Sequence, residues 1–221
     1  MIWTELTRHL SPTPILPSRY NLSNAYTFNL SSPSDFHDVD PTDVSAMVVR
    51  TQKLLNEHHA IWGIGLYEEK RALYVHDIFE EDVNIHLGLD LCVPAKTPLY
   101  CPIDATVHSF ADNNSKGDFG PTLILRHEVK TVEFYTLYGH LSPQSLRRHK
   151  IGKKVLQGKC LGTVGTPENN GGWPSHLHWQ VILDIGDNRG NYHGVCNEAD
   201  KEYYLTNCPN PAALLRFHET R

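Results

Sequence analysis

The sequence predicts a mainly β domain, an antiparallel sandwich or a barrel-like sheet, preceded by an N-terminal extension that contains one helix. Three observations lead to this fold class. Short runs rich in β-branched and aromatic residues, separated by Gly, Pro and Asn turns, follow one another through most of the chain. Stretches with helical spacing are few, and many short strands with few helices favour a sandwich or barrel. The 221 residues suffice for one sizeable domain, or for a domain with an extension.

The first sixty residues differ in character from the rest. The first forty are rich in Ser, Pro and Asn, which predicts an irregular segment over a domain surface, with partial disorder as the alternative. A helix is predicted from about residue 41 to 58, because Asp40 is a candidate N-cap, Pro41 suits the first helical position and apolar residues follow at roughly helical spacing. We therefore predict an extension over residues 1–60 and a domain over residues 61–221.

The remaining elements are predicted to be strands, with one exception. Residues 61–79, "IWGIGLYEEKRALYVHDIF", predict two strands with a turn at Glu68–Arg71. Four further runs predict strands: "TPLYCPIDATVHSFAD", "GPTLILRHE", "VEFYTLYGHL" and "KCLGTVG". Near the end, "NPAALLRF" predicts a short helix that Asn210 caps, with Pro211 at its first position.

Charge and composition exclude several function classes. The net charge of −5 argues against a nucleic-acid partner, and the basic run "LRRHKIGKK" resembles a solvated turn because it has no interleaved aromatic residues. No apolar run is long enough for a membrane span, and the beginning of the chain lacks the pattern of a secretory signal. We therefore expect a cytoplasmic location, or a piece cut from a longer polypeptide. The five cysteines show no CxxC spacing and are expected to be reduced thiols.

Histidine is unusually frequent, at 14 residues, and its placement suggests a site. If "IHLGLDL" is a strand, His86, Gly88 and Asp90 point to one face, since side chains alternate along a strand. Gly88 would leave room for a group to lie against the backbone. In "SHLHWQV", His176 and His178 share a face by the same rule. His140, at the end of the predicted strand "YTLYGHL", is a further candidate.

These residue types are those that a catalytic zinc ion binds. Zinc accepts imidazole nitrogens and carboxylate oxygens, and a catalytic site supplies three protein ligands and keeps the fourth position open. Two histidines and one aspartate would leave that position open. Each pattern alone is more often a surface or hydrogen-bonded histidine, so the prediction depends on their combination.

The motifs "HLGLD", "YGHLS" and "HLHWQV", in this order, resemble those of the LytM/lysostaphin-type zinc endopeptidases, peptidase family M23. "VLQGKCLGTVG" and "PNPAALL" resemble further segments of that family, and the likeness covers about residues 75–215. "GIGLYEEKRALY" and "NGGWPSHLH" are more similar to the M23 domains of cytoplasmic phosphotransferase–peptidase–aminotransferase fusions. The resemblance implies the duplicated hybrid motif fold of M23 domains and one Zn²⁺ per chain.

Carried over residue by residue, the resemblance makes His86, Asp90 and His178 the zinc ligands. His176 then corresponds to the general base, and His140 to a second catalytic histidine that holds the water or the developing oxyanion. His127, in "LRHE", is expected to be structural or to support a ligand.

The implied activity is metalloendopeptidase cleavage of peptide bonds in peptidoglycan-type or related small peptides. A cytoplasmic location fits intact cell wall poorly as a substrate. The alternatives are a catalytically silent binding or regulatory domain on the same fold, and the hydrolase module of a larger multifunctional enzyme, fused to or associated with other enzyme domains.

Overall fold

A computed structural model of the protein describes residues 2–74 and 82–217. The helices are α1 (Ile2–Thr7), α2 (Val44–Glu57), α3 (Pro143–Leu146) and α4 (Lys201–Asn207), with 3₁₀ helices at Leu22–Asn24, Pro167–Asn169 and Pro211–Leu214. The strands are β1 (Ala25–Thr27), β2 (Trp62–Gly65), β3 (Ile85–His86), β4 (Leu89–Cys92), β5 (Pro98–Tyr100), β6 (Ala105–Asn113), β7 (Gly120–Val129), β8 (Val132–Gly139), β9 (Lys154–Val155), β10 (Cys160–Thr163), β11 (Leu177–Ile182) and β12 (Val195–Cys196). The predicted mainly β, antiparallel-rich fold is confirmed.

One eight-stranded sheet organises the molecule, in the order β1-β2-β4-β11-β8-β7-β6-β9. Its strand pairs are antiparallel except for β1 with β2. In the described residues the sheet stays open between its edge strands and forms no closed barrel. Two small sheets, β10 with β5 and β12 with β3, lie beside it. β4, β11 and β8 are neighbours in the middle of this sheet.

The N-terminal segment is packed into the molecule. β1 extends the large sheet by pairing with β2. Trp3 and Leu6 of α1 are buried in the same hydrophobic core as Trp62 and Trp179. α1 was not predicted from the sequence, because a six-residue helix has too few turns to show a periodic pattern. The boundary at residue 60 remains a prediction.

The predicted helix over residues 41–58 exists, but it starts later, at Val44. The N-cap is Asp43, whose side chain accepts a hydrogen bond from the backbone N–H of Ala46 at 3.0 Å. Asp40 instead accepts from the backbone N–H of Thr42 at 2.8 Å and forms a local turn before the helix. Asp40, the predicted N-cap, therefore lies in this turn, and Asp43 is the N-cap of the helix.

Two strand predictions near the site need correction. "IHLGLDL" is not one strand, since β3 and β4 are separated by a bend at Gly88. In residues 61–79, β2 is present, whereas residues 66–74 form turns and an isolated bridge at Lys70; residues 75–79 lie outside the described part. The short C-terminal helix is confirmed, with Asn210 as its cap. Within the described residues, no helix combines the length and the apolar character needed to cross a membrane.

Candidate metal centre

The structure brings His86, Asp90 and His178 together at the middle of the large sheet. Asp90 on β4 lies directly opposite His178 on β11 in the strand register, and His86 ends β3. His86 Nε2 lies 2.9 Å from His178 Nδ1, and Asp90 Oδ1 lies 3.2 Å from both of these nitrogens. All three side chains are buried. Three potential ligand atoms therefore converge on one small volume.

The proton of His178 is placed by Gln180. Gln180 lies two positions further along β11, and its Oε1 is 2.9 Å from His178 Nε2. The amide nitrogen of Gln180 donates to the carbonyl of His193 at 3.0 Å, which orients its oxygen towards His178. An amide oxygen only accepts, so His178 Nε2 donates and Nδ1 keeps its lone pair towards His86 and Asp90. Gln180 is not among the residues predicted from the sequence, although the alternation along β11 puts it on the face of His178.

His86 has two tautomers that its surroundings satisfy. With the proton on Nδ1, it donates to the carbonyl of Leu66 at 2.8 Å and leaves Nε2 free to bind a cation. With the proton on Nε2, it donates to His178 Nδ1, and Nδ1 accepts from Arg71 Nη2 at 2.9 Å. Burial lowers the pKa of His86 to about 4, with a further contribution from the Arg71 guanidinium. The ring is therefore neutral near pH 7, as a metal ligand must be.

Asp90 presents one free carboxylate oxygen to these nitrogens. Its Oδ2 accepts a hydrogen bond from Arg71 Nη1 at 2.7 Å. Oδ1 is buried and has no hydrogen-bond donor among the described residues. Burial alone would raise the pKa of Asp90, but the Arg71 guanidinium and the neighbouring imidazoles hold it well below its usual range. A buried carboxylate oxygen that faces two imidazole nitrogens without a donor calls for a cation.

His176 and His140 lie beside this cluster with their rings against each other, 4.2 Å between centroids. His176 Nε2 lies 3.8 Å from Asp90 Oδ1, while its Nδ1 donates to the carbonyl of Pro174 at 2.7 Å. His140 Nδ1 donates to the carbonyl of Asn170 at 2.8 Å. Burial lowers the pKa of both rings. Each neutral ring therefore has an unprotonated Nε2, which accepts hydrogen bonds or protons.

The backbone holds these side chains in place. His140 has a left-handed conformation, φ 60°, which costs about 1–3 kcal/mol at a residue other than glycine. The N–H of His140 donates to Phe119 O at 2.7 Å, and its carbonyl accepts from the N–H of Gly165 at 2.8 Å. These two hydrogen bonds stabilise the left-handed conformation. At Gly88, a Cβ atom would lie 2.7 Å from Cε1 and Nε2 of His178. The group that the sequence predicts against Gly88 is therefore the His178 ring.

The other histidines in the described part of the chain lie outside the cluster. His127 is fully buried, with its Nε2 2.7 Å from the Thr136 hydroxyl and its ring stacked on Phe134, so its expected structural role agrees with its place in the fold. His193 is exposed at the rim.

All five candidate residues line a cavity of about 600 Å³. Its wall includes side chains of the N-terminal segment: Phe28, Leu30, Phe36, Met47 and Thr51.

Comparison with known proteins shows a family likeness over the part of the chain that holds the site. The model of peptidase family M23 matches residues 84–190, which include His86, Asp90, His140, His176 and His178. No curated protein matches the chain.

Three solved structures are similar to it. A zinc-containing peptidase from Vibrio cholerae is 26% identical over 45% of this chain and 28% of that one, with a TM-score of 0.38. The catalytic domain of lysostaphin from Staphylococcus simulans is 17% identical over 70% of this chain and 96% of that one, with a TM-score of 0.43. The catalytic domain of the prophage-encoded M23 protein EnpA from Enterococcus faecalis is 21% identical over 59% and 83%, with a TM-score of 0.41. The segment that matches the model of peptidase family M23 includes the site strands β4, β8 and β11 and every candidate residue.

Proposed function

We propose that the protein is a zinc-dependent endopeptidase in which His86, Asp90 and His178 bind one zinc ion. The observation that carries this proposal is the buried Asp90 Oδ1, which lacks a donor among the described residues and faces two imidazole nitrogens. In a tetrahedral site with zinc–ligand bonds of about 2.0–2.1 Å, the ligand atoms lie roughly 3.3 Å apart. The separations of 2.9–3.2 Å are close to that value, and two nitrogens with one carboxylate oxygen suit zinc.

The residues around the cluster support a division of roles. When bound, zinc would polarise the scissile carbonyl and lower the pKa of a water molecule. His176, whose unprotonated Nε2 points towards Asp90, would take a proton from that water and return it to the leaving amine. His140, neutral and with its Nδ1 proton given to Asn170, would accept a hydrogen bond from the water at Nε2. Because its Nε2 is unprotonated, His140 is suited to hold the water and not to donate a hydrogen bond to an oxyanion.

The substrate class follows from the family. The match to the M23 model favours peptide substrates, with peptidoglycan-type or related small peptides as the first to test. The cavity is large enough for a peptide segment beside the histidine cluster. Whether the chain acts alone or as a module of a larger enzyme is a separate question, which size determination of the native protein answers.

The test separates metal binding from turnover. The full chain is expected to contain one zinc ion and to hydrolyse members of a peptide panel, with activity lost on chelation. His178→Ala should abolish zinc binding, whereas His176→Ala should retain zinc and lose turnover. Loss of zinc in both variants would contradict the division of roles. Zinc bound without hydrolysis of any peptide would favour a binding or regulatory domain instead.

A further inference from the structure

A buried arginine contacts the metal cluster from a segment that precedes the family match. Arg71 is 6% exposed and lies between two carboxylates. Its Nη1 donates to Asp90 Oδ2 at 2.7 Å, and its Nε lies 3.5 Å from Glu69 Oε2. The guanidinium also donates to the Tyr74 hydroxyl at 2.6 Å. The proposed mechanism assigns no step to Arg71.

We propose that Arg71 is a positioning residue of the zinc centre: it holds Asp90 so that only Oδ1 faces the metal, and the N-terminal segment holds Arg71 in turn through Glu69. This inference rests on the proposed function, since it concerns the same three ligands.

The contact geometry restricts how Asp90 can bind. A charge-assisted hydrogen bond of 2.7 Å occupies Oδ2 and fixes the carboxylate plane. Oδ1 is then directed between the two imidazole nitrogens, 3.2 Å from each. Gly65, opposite Asp90 in the strand register, makes this approach possible, because a Cβ there would lie 2.8 Å from Arg71 Nη2. Arg71 thus favours a carboxylate that binds through one oxygen.

Glu69 is the second carboxylate beside the Arg71 guanidinium. Both side chains are buried, and Glu69 Oε2 lies 3.5 Å from Arg71 Nε. Because Arg71 Nη1 donates to Asp90 Oδ2, the contact of Nε with Glu69 restricts rotation of the guanidinium away from Asp90.

Backbone groups of the N-terminal segment hold this arrangement. The N–H of Leu30 donates to Glu69 Oε1 at 2.8 Å. The carbonyl of Leu30 accepts from the N–H of Ala72 at 2.9 Å. Leu30 is therefore hydrogen-bonded to Glu69 and to Ala72, which precede and follow Arg71 in the sequence. The extension supplies part of the support of the metal site, although it lies outside the residues that the family model matches.

The experiment measures metal binding by the full chain rather than turnover. Zinc affinity is determined by competition with a chromophoric chelator, and the coordination by the visible spectrum of the Co²⁺-substituted protein. Arg71→Gln should lower zinc affinity by about 10–100-fold, as removal of a group that orients a ligand does, and should alter the Co²⁺ spectrum. Glu69→Gln keeps the acceptor for Leu30 and should give a smaller loss in the same direction, which also serves if Arg71→Gln fails to fold.

A matched control removes a different arginine. Arg50 is partly buried on α2, pairs with Asp38 at 3.5 Å and does not contact the cluster. Arg50→Gln should keep the zinc affinity and Co²⁺ spectrum of the wild type even if stability falls. If Arg71→Gln and Glu69→Gln both behave like this control, the positioning role is overturned while the proposed zinc site stands. If the wild type binds no zinc, or His178→Ala binds it equally well, both proposals are overturned.

Discussion

Substituting Gly88 by alanine would perturb the candidate metal centre through a single methyl group. The new Cβ would lie 2.7 Å from two atoms of the His178 ring and 2.8 Å from the backbone oxygen of Trp179. Carbon atoms pack at about 3.5–4.0 Å, so the ring or β11 must move by roughly 0.8–1.3 Å. Metal–ligand distances tolerate only about 0.2 Å. The displacement would also disturb the hydrogen bond between His178 and Gln180.

We therefore expect two effects of Gly88→Ala. Overpacking should lower the free energy of unfolding by about 1–3 kcal/mol. Zinc affinity should fall at least about tenfold, equivalent to about 1.4 kcal/mol of binding free energy. Urea unfolding of the metal-free protein measures the first effect, and chelator competition measures the second.

Gly152→Ala provides the control for a general loss of stability. Nothing lies within 4 Å of a Cβ at Gly152, but its φ of +79° disfavours alanine by about 1–2 kcal/mol. This variant should lose stability to a similar extent and retain zinc affinity. Wild-type zinc affinity in Gly88→Ala would refute the argument that the absent side chain makes room for His178.

Two further predictions concern buried polar groups. Gln180→Leu removes the acceptor for His178 Nε2 and should weaken zinc binding by about 10–100-fold in chelator competition; unchanged affinity would show that Gln180 does not orient the ligand. Burial lowers the pKa of His127 from 6.5 to about 4. As the pH falls, the unfolded chain therefore binds a proton at His127 before the folded protein does. The stability that the neutral, buried ring contributes is complete above pH 6.5 and is lost as the pH falls towards 4. His127→Gln should therefore reduce the stability difference between pH 7 and pH 5 by about 2 kcal/mol in urea unfolding, and an unchanged difference would contradict the assignment.

The fold class and the cluster could be predicted because both depend on local patterns. Alternation along "SHLHWQV" predicts His176 and His178 on one side, and both rings lie near Asp90 Oδ1, although β11 begins only at Leu177. The same rule, applied to "IHLGLDL", led to the wrong conclusion that one strand runs from His86 to Asp90. At the bend, Gly88 lies against the ring of His178, a residue 90 positions away, and a periodic pattern carries no information about such a neighbour.

Contacts that residue type alone does not specify set the limit in the other cases. Asp40 and Asp43 are equally good caps by residue type, and only the turn that Asp40 forms with Thr42 distinguishes them. Arg71 reads as a turn residue in the sequence. Its burial between Glu69 and Asp90 depends on strand pairing between β2 and β4, which no local pattern specifies.

The candidate ligands and the groups that orient them come from different parts of the chain. His86, Asp90 and His178 lie within the family match, and Gln180, which orients His178, lies there too. Arg71 and Glu69, which orient Asp90, precede the match, and Leu30 lies further towards the N-terminus. Because a carboxylate with a free Oδ2 could rotate away from the imidazoles, the motifs alone do not specify the geometry of the site. The segment that supplies the candidate ligands is therefore shorter than the part of the chain that orients them.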